Sequence, residues 1–149
     1  METKPLDVIA ILKLYEMRSE TLMREARAWF FTEFAPESGK DIVRLMLSGQ
    51  KQSAFYRMVV SHWDVAASFV NNGGIDEKLF QEGNTEHLVV FAKLQPFISE
   101  VREAMGEPDY LANLERLVLR VPDIERKLEN RRRLLQRWAQ SNPRPEEQG

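Results

Sequence analysis

An all-α fold, a single-domain bundle of about six to eight helices, is what the sequence predicts, and three observations carry the expectation. Glycine and proline number seven each in 149 residues and fall mostly in short clusters: APESGKD at 35–41, SGQ at 48–50, NNGG at 71–74, EGN at 82–84, GEPD at 106–109 and NPRP at 142–145. Such clusters end helices or begin turns. Between them apolar residues recur every three or four positions, and no convincing stretch shows the period of two that marks a strand. The composition, 43% hydrophobic and 30% charged, is that of a globular chain able to bury one core. Counting the residues outside turns gives about 75–80% helix.

The elements follow in order. No glycine or proline occurs from Leu6 to Phe34, so this span is one long helix or two helices broken near Ser19, a residue suited to an N-cap. A short helix follows Ser38, where Ser38 and Asp41 resemble a capping box with Asp in place of Glu. A central helix runs over about 51–73. Gly74 is the expected left-handed residue after it, with Ile75 folding back on Val70 in a Schellman-type contact. Asp76 caps a short helix through Phe80. A helix beginning near Thr85 meets Pro96, whose missing amide hydrogen kinks or breaks it. Pro108 suits the first turn of the next helix. Pro122 interrupts again, and a last helix runs to about Gln140. The helical domain is thus 1–140, and 141–149 is expected to be a disordered tail. The expected core comprises Trp29, Phe30, Phe55, Val59, Trp63, Ala66, Phe69, Leu79, Phe80, Leu88, Phe91, Leu94, Leu111 and Leu114.

The central helix holds the residues most open to a chemical reading. Arg57, Ser61, Asp64, Ser68 and Asn71 form one polar stripe on an otherwise apolar cylinder. The stripe either faces water or is an inward seam in which Asp64 needs a cation, with Arg24, Arg27 and Arg57 as candidates. His62 and Asp64 are two positions apart, roughly 160° around the axis, and cannot form a dyad within the helix. His62 has no ligand-capable neighbour three or four positions away, and neither it nor His87 belongs to an HExxH pair. Speculative ligand-binding residues are therefore His62, Asp64, Arg57 and Arg27, with no catalytic set assigned. No Gly-rich phosphate loop, GxSxG element or ExxH spacing is present, so neither a cofactor nor a metal is expected.

Composition narrows the partners. Net charge is −2, which makes nucleic acid an unlikely partner despite the basic segment ERKLENRRRLLQRW at 125–138. No cysteine occurs, which excludes disulfides and thiolate metal sites and allows the cytoplasmic location expected for the chain. No run approaches the ~18 apolar residues of a spanning helix. Leu114, Leu117, Val121, Ile124, Leu128, Arg131, Leu135 and Trp138 are spaced alternately by three and four. That is coiled-coil spacing, with Arg131 in one seam position. The seam packs either on the bundle or on a second copy, giving a homodimer through Leu128, Arg131, Leu135 and Trp138.

The run AFYRMVVSHWDVAASFVNNGGIDEKLF, with REARAWFF upstream and FAKLQPFISEVREAMGEPDYLANLERL downstream, resembles a family of uncharacterised bacterial all-helical proteins, a domain of unknown function. The resemblance covers roughly residues 15 to 120. It implies a helical fold and supplies no activity. Related sequences often carry an N-terminal membrane helix that this sequence lacks. Three functional readings remain, in this order: a non-catalytic helical module binding another protein or itself; a binder of a small-molecule or lipid-like ligand in a pocket among the aromatic helices; and an enzyme using Asp64 with a histidine and an arginine.

Overall fold

The computed structural model describes residues 5–141. The chain is an all-α domain, 79% helical. Eight helices have eight residues or more and one has seven: α1 (Pro5–Arg18), α2 (Thr21–Thr32), α3 (Gly39–Met46), α4 (Lys51–Asn71), α5 (Glu77–Gly83), α6 (Glu86–Leu94), α7 (Ile98–Met105), α8 (Ala112–Leu119) and α9 (Ile124–Ser141). The tail at 142–149 lies outside the described residues.

The N-terminal span is two helices, α1 and α2. Ser19 does not cap the second. Its hydroxyl donates back to the Tyr15 carbonyl at 3.0 Å, and Glu20 holds the cap position without a side-chain bond. At α3 the Ser38 hydroxyl accepts the Asp41 N–H at 3.2 Å, while the Asp41 carboxylate accepts the Glu37 N–H at 3.0 Å. The box is therefore reciprocal, with the shorter Asp reaching a neighbouring amide. The N-terminus of α3 presses on α7 so closely that a Cβ on Gly39 would lie 2.6 Å from the Glu100 Cβ. Glu100 in turn accepts the Lys40 N–H at 3.0 Å.

The end of α4 is a Schellman motif set one residue earlier than expected. Gly73, not Gly74, is left-handed, at φ +79°. Gly74 N–H reaches the Phe69 carbonyl at 2.7 Å and Gly73 N–H the Val70 carbonyl at 3.0 Å, the paired bonds that define the motif. Asp76 caps α5 through the Leu79 N–H at 2.9 Å. Pro96 ends α6 through a 3-10 turn over Gln95–Phe97. Pro108 falls in a turn and not in a helix. The backbone there needs one more reversal, taken by Leu111 at φ +57°, before α8 begins at Ala112.

Packing places α4 at the centre, between α2 and α8, while α6 lies against α9 and α3 against α7. Phe30, Val59, Trp63, Ala66, Phe80, Phe91 and Leu114 are wholly inaccessible. Three residues expected in the core are less buried than that: Trp29 is half-buried and packs against the core from its edge, Leu79 is half-buried, and Phe69 is 52% exposed. Phe69 and Val65 lie on a side of α4 that α1 and α2 border without covering. The apolar part of the helix surface is wider than the groove between α2 and α8. Part of the C-terminal seam packs inside the chain: Leu128 and Leu135 are buried where α9 meets α6 and α2, while Trp138 is 38% exposed.

Candidate functional site

A cleft of about 810 Å³ opens between the end of α1, one face of α2, the α5–α6 turn and the C-terminal half of α9. Local sequence periodicity builds each wall. Arg24, Arg27 and Phe31 are spaced three and four along α2 and share a face. Arg131, Leu134 and Trp138 repeat that spacing on α9. Tyr15 and Arg18 come from the last turn of α1. Asn84, Thr85 and Glu86 come from the turn that Gly83 leaves and α6 enters.

Four arginines, Arg18, Arg24, Arg27 and Arg131, thus line the same cleft as one carboxylate, Glu86. Only Arg27 is paired with it. Its Nε and Nη2 donate to Glu86 Oε1 at 2.9 and 2.7 Å, and its Nη1 donates to the Arg18 carbonyl at the end of α1 at 3.2 Å. The second Glu86 oxygen accepts Trp63 Nε1–H at 3.0 Å. Glu86 is therefore held from both sides, by the central helix and by α2. Among the described residues Arg18, Arg24 and Arg131 have no carboxylate within 4 Å. The Arg18 guanidinium lies 4.8 Å over the Trp63 ring and its Nη1 is buried without a hydrogen-bond partner. Burial lowers the Arg18 pKa, and neighbouring Arg27 lowers it further against the pull of Glu86. Arg18, partly desolvated, is repelled by the neighbouring Arg27 charge, and a bound anion would relieve that.

Behind this floor sit both histidines, flanking Trp63. His62 meets the indole edge-on at 4.8 Å and His87 lies 5.6 Å from it. Burial first, then the charges of Arg18 and Arg27, brings His62 down to about 4. Burial, then Arg131 and Arg18, brings His87 to about 3. Both are neutral at pH 7, and His87 is fully buried with its Nε2 on Gln81 at 2.7 Å. His87 is a core histidine beneath an arginine-rich surface, and His62 is half-buried. Lys93, lowered to about 8 by burial, is committed to the Phe30 carbonyl at 2.6 Å.

The four residues singled out by sequence go to three different cavities. Arg27 is in the arginine cleft. His62 borders an apolar groove of about 460 Å³ with Met17, Met58 and Phe69, its Nε2 buried and unbonded. Arg57 and Asp64 line a third, of about 580 Å³, beside Tyr110. No Asp64–His–Arg constellation forms. Asp64 instead accepts the Leu114 N–H at 3.0 Å and Asn113 Nδ2–H at 3.3 Å, satisfying the N-terminus of α8. This is neither the solvent strip nor the arginine pair that the sequence left open. Arg57 donates to the Ser53 hydroxyl at 3.0 Å. Because Asp64 acts as a helix cap, Asp64→Ala should destabilise by about 1–2 kcal/mol. Asp64→Asn, which keeps an acceptor and loses only the charge on the helix dipole, should cost about 0.3–1 kcal/mol. Urea midpoints check the order, and an Asn variant several kcal/mol less stable would place a cation on Asp64 after all.

Sequence reasoning missed Arg18, Arg24 as a cleft residue, Asn84 and Glu86, and read Arg131 and Trp138 as parts of a seam that packs either on the bundle or on a second copy. One signal was available. An arginine in a seam position of an otherwise apolar series needs a polar destination, and Arg131 has one in the cleft.

Among the described residues no three His, Asp or Glu side chains are grouped to hold a metal ion, and no helix is long and apolar enough to cross a membrane. Comparison with protein families matches residues 5–121 to a family described as "Domain of unknown function (DUF4760)". No curated protein and no solved structure matches.

Proposed function

Since the chain belongs to the DUF4760 family, whose description assigns no activity, its function has to be argued from the cleft, and we propose that it is a non-catalytic helical module that binds an anionic ligand there. One observation carries the reading: three arginines without a carboxylate partner converge with Arg27 on a cleft whose single carboxylate is already engaged. Guanidinium groups present planar forks that match phosphoryl and carboxylate oxygens. The α6 N-terminus, whose Thr85 makes no side-chain cap, lines the same wall and adds its positive dipole end. Catalysis is not supported by this geometry, because the cleft offers no free general base: Glu86 is bonded on both oxygens and the histidines lie beside Trp63, off the cleft lining.

Inorganic pyrophosphate is a suitable probe. A ligand at a hundred times its dissociation constant stabilises the native state by about 2.7 kcal/mol, which for a chain of this size raises Tm by roughly 5–10 °C. At fixed ionic strength, pyrophosphate should raise Tm while chloride does not, and the double variant Arg24→Gln/Arg131→Gln should lose most of the rise. Equal shifts in parent and variant would take the site away from the cleft.

A further inference from the structure

We infer that the anion taken by this cleft is a phosphorylated nucleoside carrying two phosphoryl groups; the inference rests on the anion-binding reading above. Two features of the cleft point past a bare inorganic ion. The first is charge. Four guanidiniums against one carboxylate leave three positive charges. A nucleoside monophosphate carries about −1.5 to −2 at pH 7, and a second phosphoryl group adds about one more. A diphosphate therefore matches the cleft where a single phosphate leaves an arginine unmatched.

The second is the aromatic rim. Tyr15 is 64% and Trp138 38% exposed, although both line the cleft. Trp138 touches Phe31 in a T-shaped contact at 6.1 Å, so one aromatic partner positions it while much of it stays in water. A flat base stacks on such a surface. The volume of about 810 Å³ is also in the range of clefts that enclose organic ligands of this size.

Calorimetric titration of the full chain at one ionic strength with ADP, inorganic pyrophosphate and adenosine tests the inference. ADP should bind at least ~10-fold more tightly than pyrophosphate, and adenosine alone only weakly. In Trp138→Ala, whose side chain is partly exposed and whose fold can be verified by circular dichroism, ADP affinity should fall by about 5- to 100-fold with pyrophosphate affinity unchanged. Equal affinity for ADP and pyrophosphate, or an ADP affinity untouched by Trp138→Ala, would overturn the nucleoside while leaving the anion site standing. Failure of both phosphates to bind would overturn the two readings together.

Discussion

Replacing Trp63 with alanine is expected to destabilise the protein by about 3–5 kcal/mol, lowering Tm by roughly 10–15 °C. The indole is fully buried in the middle of α4, where α2 and α8 close over the helix. Its loss opens a cavity bordered by Phe80 and His87, and repacking cannot refill it cheaply. It also removes the donor to Glu86 Oε2 and the ring beneath the Arg18 guanidinium. The variant should therefore lose both stability and the shape of the cleft floor. Phe69→Ala is the internal control. It removes a comparable ring from the same helix, but from a half-exposed place, and should cost far less. Denaturant midpoints measure both, and a Trp63→Ala protein as stable as the parent would mean that α4 is not the centre of the core.

Acid should destabilise the fold well above the range where carboxylates titrate. Both histidines are pushed down from the ordinary 6.5, to about 4 for His62 and about 3 for His87. Below pH 6.5 the unfolded chain takes up a proton at each that the folded chain refuses, so stability is full above 6.5 and falls as pH drops toward the folded values. The slope is about 1.4 kcal/mol per pH unit for each fully resisting group. Between pH 6.5 and 5, His87 should contribute a loss of about 2 kcal/mol, and half-buried His62 a smaller one after allowance for solvent screening. Arg18, Arg27 and Arg131 face these rings and oppose their protonation. His87→Leu should flatten the slope of unfolding free energy in that window, whatever its effect on stability at pH 8. An unaltered slope would show that His87 titrates normally.

Much of the architecture was legible because short-range chemistry decides it. Asp76, Ser38 and Pro96 act on neighbours within four residues, and each does in the fold what its local sequence calls for. Errors arose where two residues satisfy the same local rule. Gly73 and Gly74 are equally free to turn left-handed, and hydrogen bonds to Phe69 and Val70 choose between them. Val65 and Phe69 have the right period for a core face, but periodicity identifies a face and not whether another helix comes to cover it. Asp64 was indeterminate for a related reason. Its partner is the backbone of α8, fifty residues away, and a backbone amide leaves no compositional trace.

The cleft was the least legible feature. Its arginines come from α1, α2 and α9, up to 113 residues apart, and each sits in a helix that looks ordinarily amphipathic. Arg27 was singled out as a partner for Asp64 and proves to be the partner of Glu86. Convergence of like charges is a tertiary property, produced only when α9 folds back along α6 and α2.

The central claim, that Arg18, Arg24, Arg27 and Arg131 form an anion site, is tested most directly by a crystal structure of the full chain grown with tungstate, whose anomalous signal locates the ion without interpretation of weak density. The expected result is a dominant anomalous peak inside the cleft, within hydrogen-bond distance of Arg131 or Arg18, that is absent from crystals of the Arg24→Gln/Arg131→Gln variant. Tungstate bound only on other surfaces, with the cleft holding water alone, would contradict the account.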